Sequence, residues 1–331
     1  MFGGPVQVKL KSEQKYLGDV ILSDGKHWKN IQDRKNKSLG TINQIIQILQ
    51  NVFFGKYYFV VAMVLRSSLL LSSLLLNSEA WVNLSETEIR KLEQTDEILL
   101  NRILGCESNT SNAFKYLELG IYPVRFEIMK RKILFLHYIL QQDKTSMVYK
   151  VFKATCENPL KNDFVQTCES YFKKLDINMT FEELGKLSTW SCKKLVKIKT
   201  SEAGFRYLIN LKNKQSKISD IQYSDFSIQE YLLEGNQNNE LAKVIFKARA
   251  KLLDIKIHKK WKYKEDVCIG CGKTSETEEE LLLCKGYKDK NSEKEVKYDW
   301  VFTGSAKEMF ELAKVVSRRL KVRDKLLEGI T

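Results

Sequence analysis

The chain has 331 residues and carries 55 Lys and Arg against 41 Asp and Glu, a formal net charge of +14. That excess argues for a polyanionic partner, because neutralising phosphates releases their counterions, so nucleic acid leads over an anionic membrane surface. Seven cysteines with no secretory signal at the start speak against a disulfide framework and for a reducing nuclear or cytoplasmic compartment. With 43% hydrophobic residues there is apolar material for two or three packed units, and only three prolines among long periodic segments point to helices.

Pro5 to Leu10 alternate, with Val6, Val8 and Leu10 on one side, and Tyr16 to Leu22 form a second β-rich run closed by Ser23-Asp24-Gly25. The pattern predicts two short strands, and a chain that opens at once on paired strands reads as the tail of a larger sheet. From Lys26 to Gln50, Trp28, Ile31, Leu39, Ile42, Ile45, Ile46 and Leu49 recur at helical spacing, with Lys29, Asp33, Lys37 and Gln44 opposite.

Phe53 to Trp81 then holds a near-continuous apolar run, Tyr57 to Leu76. Roughly 20 apolar residues suffice to span a bilayer. Arg66, however, falls near the midpoint, where a charge costs at least about 3 kcal/mol, and Ser67, Ser68, Ser72 and Ser73 add polar groups. The reading favoured over membrane insertion is a buried central helix covered by amphipathic neighbours.

Ser85 with Glu88 reads as a capping box opening a helix with Ile89, Leu92, Leu99 and Ile103 on its apolar stripe, ended by Gly105. Pro123 opens the next, through Ile128, Met129, Ile133, Leu136 and Leu140, and His137 among them reads as structural. Shorter helices are expected around Ser146 to Ala154 and Phe164 to Leu175, followed by a second capping box at Thr180 and Glu183. Trp190 to Leu211 reads as a longer helix with Lys193, Lys194, Lys197 and Lys199 outside. Asn213 to Asn239 is a polar connector with one short helix near Ile228. Helical spacing returns over Glu240 to Leu253, and a last helix starts at the capping pair Ser305 and Glu308.

Cys268-Ile-Gly-Cys271 has the spacing of a metal knuckle, because two thiolates three residues apart can turn onto one ion, and Cys284 supplies a third. Glu280, one helical turn before Cys284, stands where a fourth ligand would sit, and His258 is the nearby imidazole. Zinc suits this sulfur-rich set, and a metal-free remnant of a knuckle is the alternative. Cys106, Cys156, Cys168 and Cys192 are scattered and read as small buried residues.

Two basic clusters have the composition to hold phosphates and stack on bases: Arg125 with Lys130, Arg131 and Lys132, and Arg249 and Lys251 followed by Lys256, Lys259, Lys260 and Lys262, with Trp261 and Tyr263 interleaved. No catalytic constellation stands out, and there is no Gly-rich phosphate loop. Tyr223-Ser224-Asp225-Phe226 matches a polymerase metal motif only superficially, since the second adjacent aspartate is missing.

Lys15-Tyr16-Leu17-Gly18 with Ser23-Asp24-Gly25, then Asn77-Ser78-Glu79-Ala80-Trp81, the helix holding Glu93-Gln94, Tyr116-Leu117-Glu118-Leu119-Gly120, and Cys268, Cys271, Thr277 and Cys284 follow one another in an order that resembles the C-terminal part of a LINE-type non-LTR retrotransposon reverse transcriptase. The resemblance covers essentially the whole chain. It implies a mainly α fold: residues 1–25 ending the palm with a strand pair, 26–110 a thumb-like helical bundle, 111–255 a helical linker region, and 256–331 a small zinc-knuckle-like segment with a C-terminal helix. Tyr16 to Gly18 would form the primer-grip turn, so Lys15, Tyr16, Gly18, Arg34 and Lys37 join the basic clusters as candidates for holding RNA template and DNA primer or target. The family's palm, with its paired metal-binding aspartates, would precede Met1 and act as a partner, so no residue here is expected to catalyse synthesis alone. Glu280 replaces the knuckle's usual histidine. The competing class is a non-catalytic helical protein-interaction or scaffold module whose basic faces are merely solvated.

Overall fold

Helix follows helix along almost the whole chain. The computed structural model describes residues 12–16, 19–22, 26–52, 57–161, 163–233, 239–259, 262–288 and 296–329. A hairpin comes first: β1 (Glu13–Tyr16) pairs antiparallel with β2 (Asp19–Leu22), placing Glu13 opposite Leu22 and Tyr16 opposite Asp19. The expected pair of Pro5–Leu10 with Tyr16–Leu22 is not seen. The first run lies outside the described residues, and the second run folds on its immediate neighbour, the pairing that closes the shortest loop.

The helices are α1 (Trp28–Val52), α2 (Tyr58–Leu65), a π-helical turn at Arg66–Leu70, α3 (Leu71–Leu74), α4 (Glu86–Leu104), α5 (Asn112–Glu118), α6 (Val124–Leu140), α7 (Met147–Glu157), α8 (Phe164–Leu175), α9 (Phe181–Lys186) and α10 (Thr189–Asn213). After these come α11 (Glu230–Leu233), α12 (Asn239–Arg249), α13 (Glu278–Leu283), a 3-10 turn at Lys285–Tyr287, α14 (Trp300–Thr303) and α15 (Ala306–Glu328). Contacts divide the chain into two compact units, each built from three segments. Unit 1 takes Met1–Gln44, Arg66–Asp96 and Tyr122–Gly204, and unit 2 takes Ile45–Leu65, Glu97–Ile121 and Phe205–Thr331.

The long apolar run is not one buried rod. It is broken into α2, the π turn and α3, and it buries only one side: Phe59, Ala62, Arg66, Leu70, Leu71 and Leu74 point inward while Val64, Leu69 and Leu76 stay exposed. A π turn is wider than an α turn, and Leu70 and Leu71 at its end are both buried. Arg66, the charge that argued against a membrane, is buried and forks onto Asp96 with Nε and Nη2 each 2.7 Å from a carboxylate oxygen. Both charges sit away from water, so the pair holds because it is bidentate, not because ion pairs are cheap to bury. No helix among the described residues is long and apolar enough to cross a membrane.

In unit 1, Leu71, Leu74 and Leu75 pack with Ile31 of α1, Trp81, Leu92 of α4, and Val124 and Ile128 of α6. The amphipathic neighbours expected from the sequence therefore do cover this half of the run. On its other side α6 packs against α7, α8 and α9. His137 is structural as read, with Nε2 2.9 Å from the Leu187 carbonyl.

Unit 2 is assembled on α15, which packs against α11, α12, α13, α14 and the 3-10 turn. Its core contains Leu253, Ile255, Leu281, Val301, Leu312 and Val316, with Cys268, Cys284 and Tyr287 in the same cluster. A second anchor is Glu118, fully buried, which accepts hydrogen bonds from Tyr223 Oη at 2.6 Å, Tyr231 Oη at 2.5 Å and Arg249 Nη2 at 3.1 Å. Gly120 turns with φ +61°, and a Cβ there would lie 2.3 Å from the Ser227 carbonyl carbon, so only glycine lets this strand-like stretch close on Ser227 and Ile228.

Candidate metal centre and cationic surfaces

Cys268 and Cys271 are carried by a short turn whose ends are tied by Cys268 N–H to Thr274 O (2.6 Å) and Gly272 N–H to Cys268 O (2.8 Å). Gly272 takes φ +66°, the left-handed conformation that lets the turn close. Thr277 caps α13 by accepting from Glu280 N–H, and α13 then places Glu280 and Cys284 one turn apart on the same face. The three sulfurs and a Glu280 oxygen all lie within 4.8 Å of one another. Two glycines make the approach possible: a Cβ on Gly270 would meet Cys284 Sγ at 2.9 Å, and one on Gly286 would meet the Gly270 carbonyl oxygen at 2.2 Å.

The donor set fits a tetrahedral ion. Bonds of about 2.3 Å to sulfur and about 2.0–2.2 Å to oxygen place neighbouring ligands about 3.5–3.8 Å apart. Cys268 and Cys284 Sγ are 3.6 Å apart, and Cys271 Sγ and Glu280 Oε1 are 3.2 Å apart, the latter as a thiol-to-carboxylate hydrogen bond that a metal would replace. Burial, with the Cys268 sulfur alongside, pushes the Cys284 thiol up to about 12. Cys271 goes the other way, lowered by hydrogen bonds from Thr274 and from the Lys273 and Thr274 backbone. Burial raises the Glu280 carboxyl, but hydrogen bonds from Cys271, Thr274 and the other two thiols outweigh it and hold the group below its ordinary value.

Behind the sulfurs runs a buried polar chain. The Cys268 thiol meets Tyr287 Oη at 3.3 Å, Tyr287 Oη donates to Glu276 at 2.5 Å, and Glu276 accepts from Arg323 Nε at 2.9 Å. Glu276 and Arg323 are both fully buried. Such outer partners orient metal ligands. Tyr287, Glu276 and Arg323 were not among the sequence candidates, because Arg323 lies 47 residues from Glu276 and nothing local marks the pair.

Most side chains of the two basic clusters have partners within the protein. On α6, Arg125 forks onto Glu93 (2.7 and 3.1 Å) and reaches Glu86 at 3.2 Å, and Lys130 pairs with Glu127 at 2.7 Å. Arg131 caps the end of α3 through the Leu75 and Leu71 carbonyls, at 2.8 and 3.2 Å. Lys132 is fully buried, donates to Glu79 O at 2.8 Å and lies 4.8 Å from the Phe164 ring centre. Arg34 is also buried. In unit 2, Arg249 is held by Glu118, Lys259 is buried against Glu107, and Lys262 pairs with Asp254 at 3.0 Å. Burial works against charge on Arg249, but Glu118 prevails and keeps the guanidinium protonated. Arg125 and Arg249 find their acids in distant segments, whereas Lys130 pairs with Glu127 one turn away on the same helix and Arg131 and Lys132 meet backbone carbonyls.

Lys37 is exposed and Lys256 half-buried, the latter giving its backbone N–H to Glu276 at 2.8 Å. Lys15 and Tyr16 belong to β1, while Gly18, Lys260 and Trp261 lie outside the described residues. One lysine face that the sequence places outside is absent from the candidate binding residues. On α10, Trp190, Lys193, Lys194 and Lys197 stand at i, i+3, i+4 and i+7 and all are exposed, Trp190 to 69%. Lys194 Nζ lies 5.1 Å from the Trp190 ring centre, and Lys193 and Lys197 have no ion pair among the described residues. The spacing was legible, and the signal overlooked was the tryptophan on the lysine face. No family model, no curated protein and no solved structure matches the chain.

Proposed function

We propose that this chain binds nucleic acid and serves as the thumb, linker and knuckle portion of a protein similar to a LINE-type non-LTR reverse transcriptase, holding RNA template and DNA primer or target without itself carrying out synthesis. The observation that carries this reading is the α10 face, an exposed tryptophan among three exposed lysines in a chain of net charge +14. Lysines there can neutralise phosphates, and the indole offers a stacking platform for a base. All seven cysteines are free thiols, which fits a reducing nuclear or cytoplasmic compartment. The test is titration of labelled RNA and duplex DNA with the protein over a salt series. A steep linear fall of log affinity with log salt is expected, and absence of binding at low salt sinks the proposal.

For the metal site we propose zinc, held by Cys268, Cys271, Glu280 and Cys284 as a structural ion that fixes the turn to α13. Purified protein should contain about one zinc per chain and Cys271→Ser markedly less. Equal metal in both would remove zinc from the account. A second reading, a protein-interaction module, draws on α7, where Met147, Val148 and Val151 are exposed side by side. It predicts no salt-sensitive nucleic-acid binding at all.

A further inference from the structure

The α10 face lies in unit 1, and unit 2 has a polar hollow of its own. It has a volume of about 570 Å³ and is bounded by residues 109–111, the turn at 214–218, the end of α12 at 250–252, and 258–259. That is within the range of about 300–1,000 Å³ usual for ligand pockets, and more than a lone phosphate fills. Among the described residues its lining contains four lysines and a histidine, and no carboxylate. Two of these side chains are already engaged: Lys259 with Glu107, and His258 with Glu278, where Nε2 and Oε1 are 2.5 Å apart. Lys214, Lys217 and Lys251 remain, and none has an ion pair among the described residues.

The lysines are placed, not merely scattered. Buried Lys212 donates to the carbonyls of Ser219 (2.7 Å) and Ile221 (2.6 Å), stapling the turn that carries Lys214 and Lys217. Lys251 sits just past α12 in the left-handed conformation, φ +55°, with Leu252 N–H bonded back to Lys247 O and Lys251 N–H to Ala248 O. This helix ending ordinarily takes glycine. A long cationic side chain held there at a conformational cost is the kind of local strain that gathers at binding sites. Neutral hydrogen-bonding groups complete the lining: Ser111, Gln215, Ser216, and the buried Thr110 hydroxyl, which has only the weakly bonding Cys106 thiol beside it. No phenylalanine, tyrosine or tryptophan is among the described lining residues, so the hollow offers a base no ring to stack on.

We propose that this hollow holds the phosphodiester backbone of a nucleic-acid strand, Lys214, Lys217 and Lys251 neutralising successive phosphates while the hydroxyl and amide groups take sugar or phosphate oxygens. The proposal rests on the nucleic-acid reading above and adds a second, sequence-indifferent contact in the other unit.

The experiment uses the full chain and a fluorescently labelled single-stranded RNA, with affinity read by anisotropy from low to physiological salt. Lys214→Gln/Lys217→Gln should weaken binding at each salt and reduce the log–log salt slope by about 1.4, the loss of two single-strand phosphate contacts. Lys214→Arg/Lys217→Arg should restore both, and a matching melting curve for the Gln variant shows that the fold is intact. If the unaltered protein binds and the Gln pair leaves affinity and slope unchanged, the hollow is no part of the interface and the proposal is overturned. If the unaltered protein fails to bind at low salt, the nucleic-acid reading itself falls, and this contact with it.

Discussion

Two helices of unit 1 look alike on the page and end in opposite states. Both α6 and α10 carry several lysines or arginines within two turns, yet the α6 cations close on Glu93, Glu86, Glu127 and backbone carbonyls, while Lys193, Lys194 and Lys197 of α10 face solvent. The difference is one of partners. The α6 cations are wired to acids or carbonyls, Arg125, Arg131 and Lys132 to groups elsewhere in the unit and Lys130 to Glu127 on the helix itself, so their charge is engaged in the fold. Lys193, Lys194 and Lys197 have no such ion pair among the described residues, so their charge is left for a ligand, whereas on the same helix Lys199 pairs with Glu202 and Lys212 is tied to the Ser219 and Ile221 carbonyls. Arg249 of unit 2 falls on the α6 side of this divide, and Lys214 and Lys217 fall on the α10 side. Net charge alone thus does not say which cations face solvent.

The sharpest way to test the wired class is to remove an acid from it. Glu118→Ala leaves Arg249 buried without its carboxylate and leaves the Tyr223 and Tyr231 hydroxyls without their acceptor. Breaking one side of a buried pair typically costs about 3–5 kcal/mol. Urea unfolding should show a loss of that size. A loss under about 1 kcal/mol would mean the network is solvated and that Arg249 was free to bind a phosphate after all.

A smaller effect belongs to Lys132. Burial lowers its ammonium to about 8, against about 10.4 for an unfolded lysine. Between those values the unfolded chain holds a proton that the folded chain has released, so stability rises with pH, by about 3 kcal/mol over the full interval and about 1 kcal/mol from pH 7.5 to 9. Burial pushes Cys168, Cys284 and Tyr171 each up to about 12 and Cys192 up to about 11. They act in the opposite sense, because above about pH 8.5 for the thiols and about pH 10 for the phenol the folded state keeps protons that the unfolded chain loses. Those contributions are shared with Lys132→Met, so the difference between the two pH profiles should carry the rise of about 1 kcal/mol from pH 7.5 to 9, and no difference would show that Lys132 reaches solvent.

What was legible in the sequence was what is local. The capping boxes Ser85–Glu88, Thr180–Glu183 and Ser305–Glu308 are present, each recognisable because donor and acceptor lie three residues apart. The Cys268–Cys284 cluster was legible for the same reason, since a tight turn and one helical turn fix all four ligands. The wiring was not. Arg66 finds Asp96 30 residues on, and Arg249 finds Glu118 131 residues back. Periodicity cannot show which carboxylate waits at the far end. The apolar run misled differently: exposed Val64, Leu69 and Leu76 fill the outer face with the same residue types as the inner one, so the run looked buried all round.

The smallest change in stability should come from the exposed class, and it is the informative one. Lys193→Gln/Lys197→Gln removes two charges with no protein partner among the described residues, so unfolding free energy should move by no more than about 0.5 kcal/mol. If the α10 face meets a single strand, the same pair should reduce the salt slope by about 1.4. Trp190→Ala should then cost about 1–3 kcal/mol of binding through lost stacking, again with little effect on folding because the indole is 69% exposed. On α10 binding should change without stability, and on α6 stability should change without the loss of a phosphate contact. Were Lys193→Gln/Lys197→Gln to destabilise the protein as Glu118→Ala does, α10 would belong with the wired helices, and the surface carrying the functional reading would be gone.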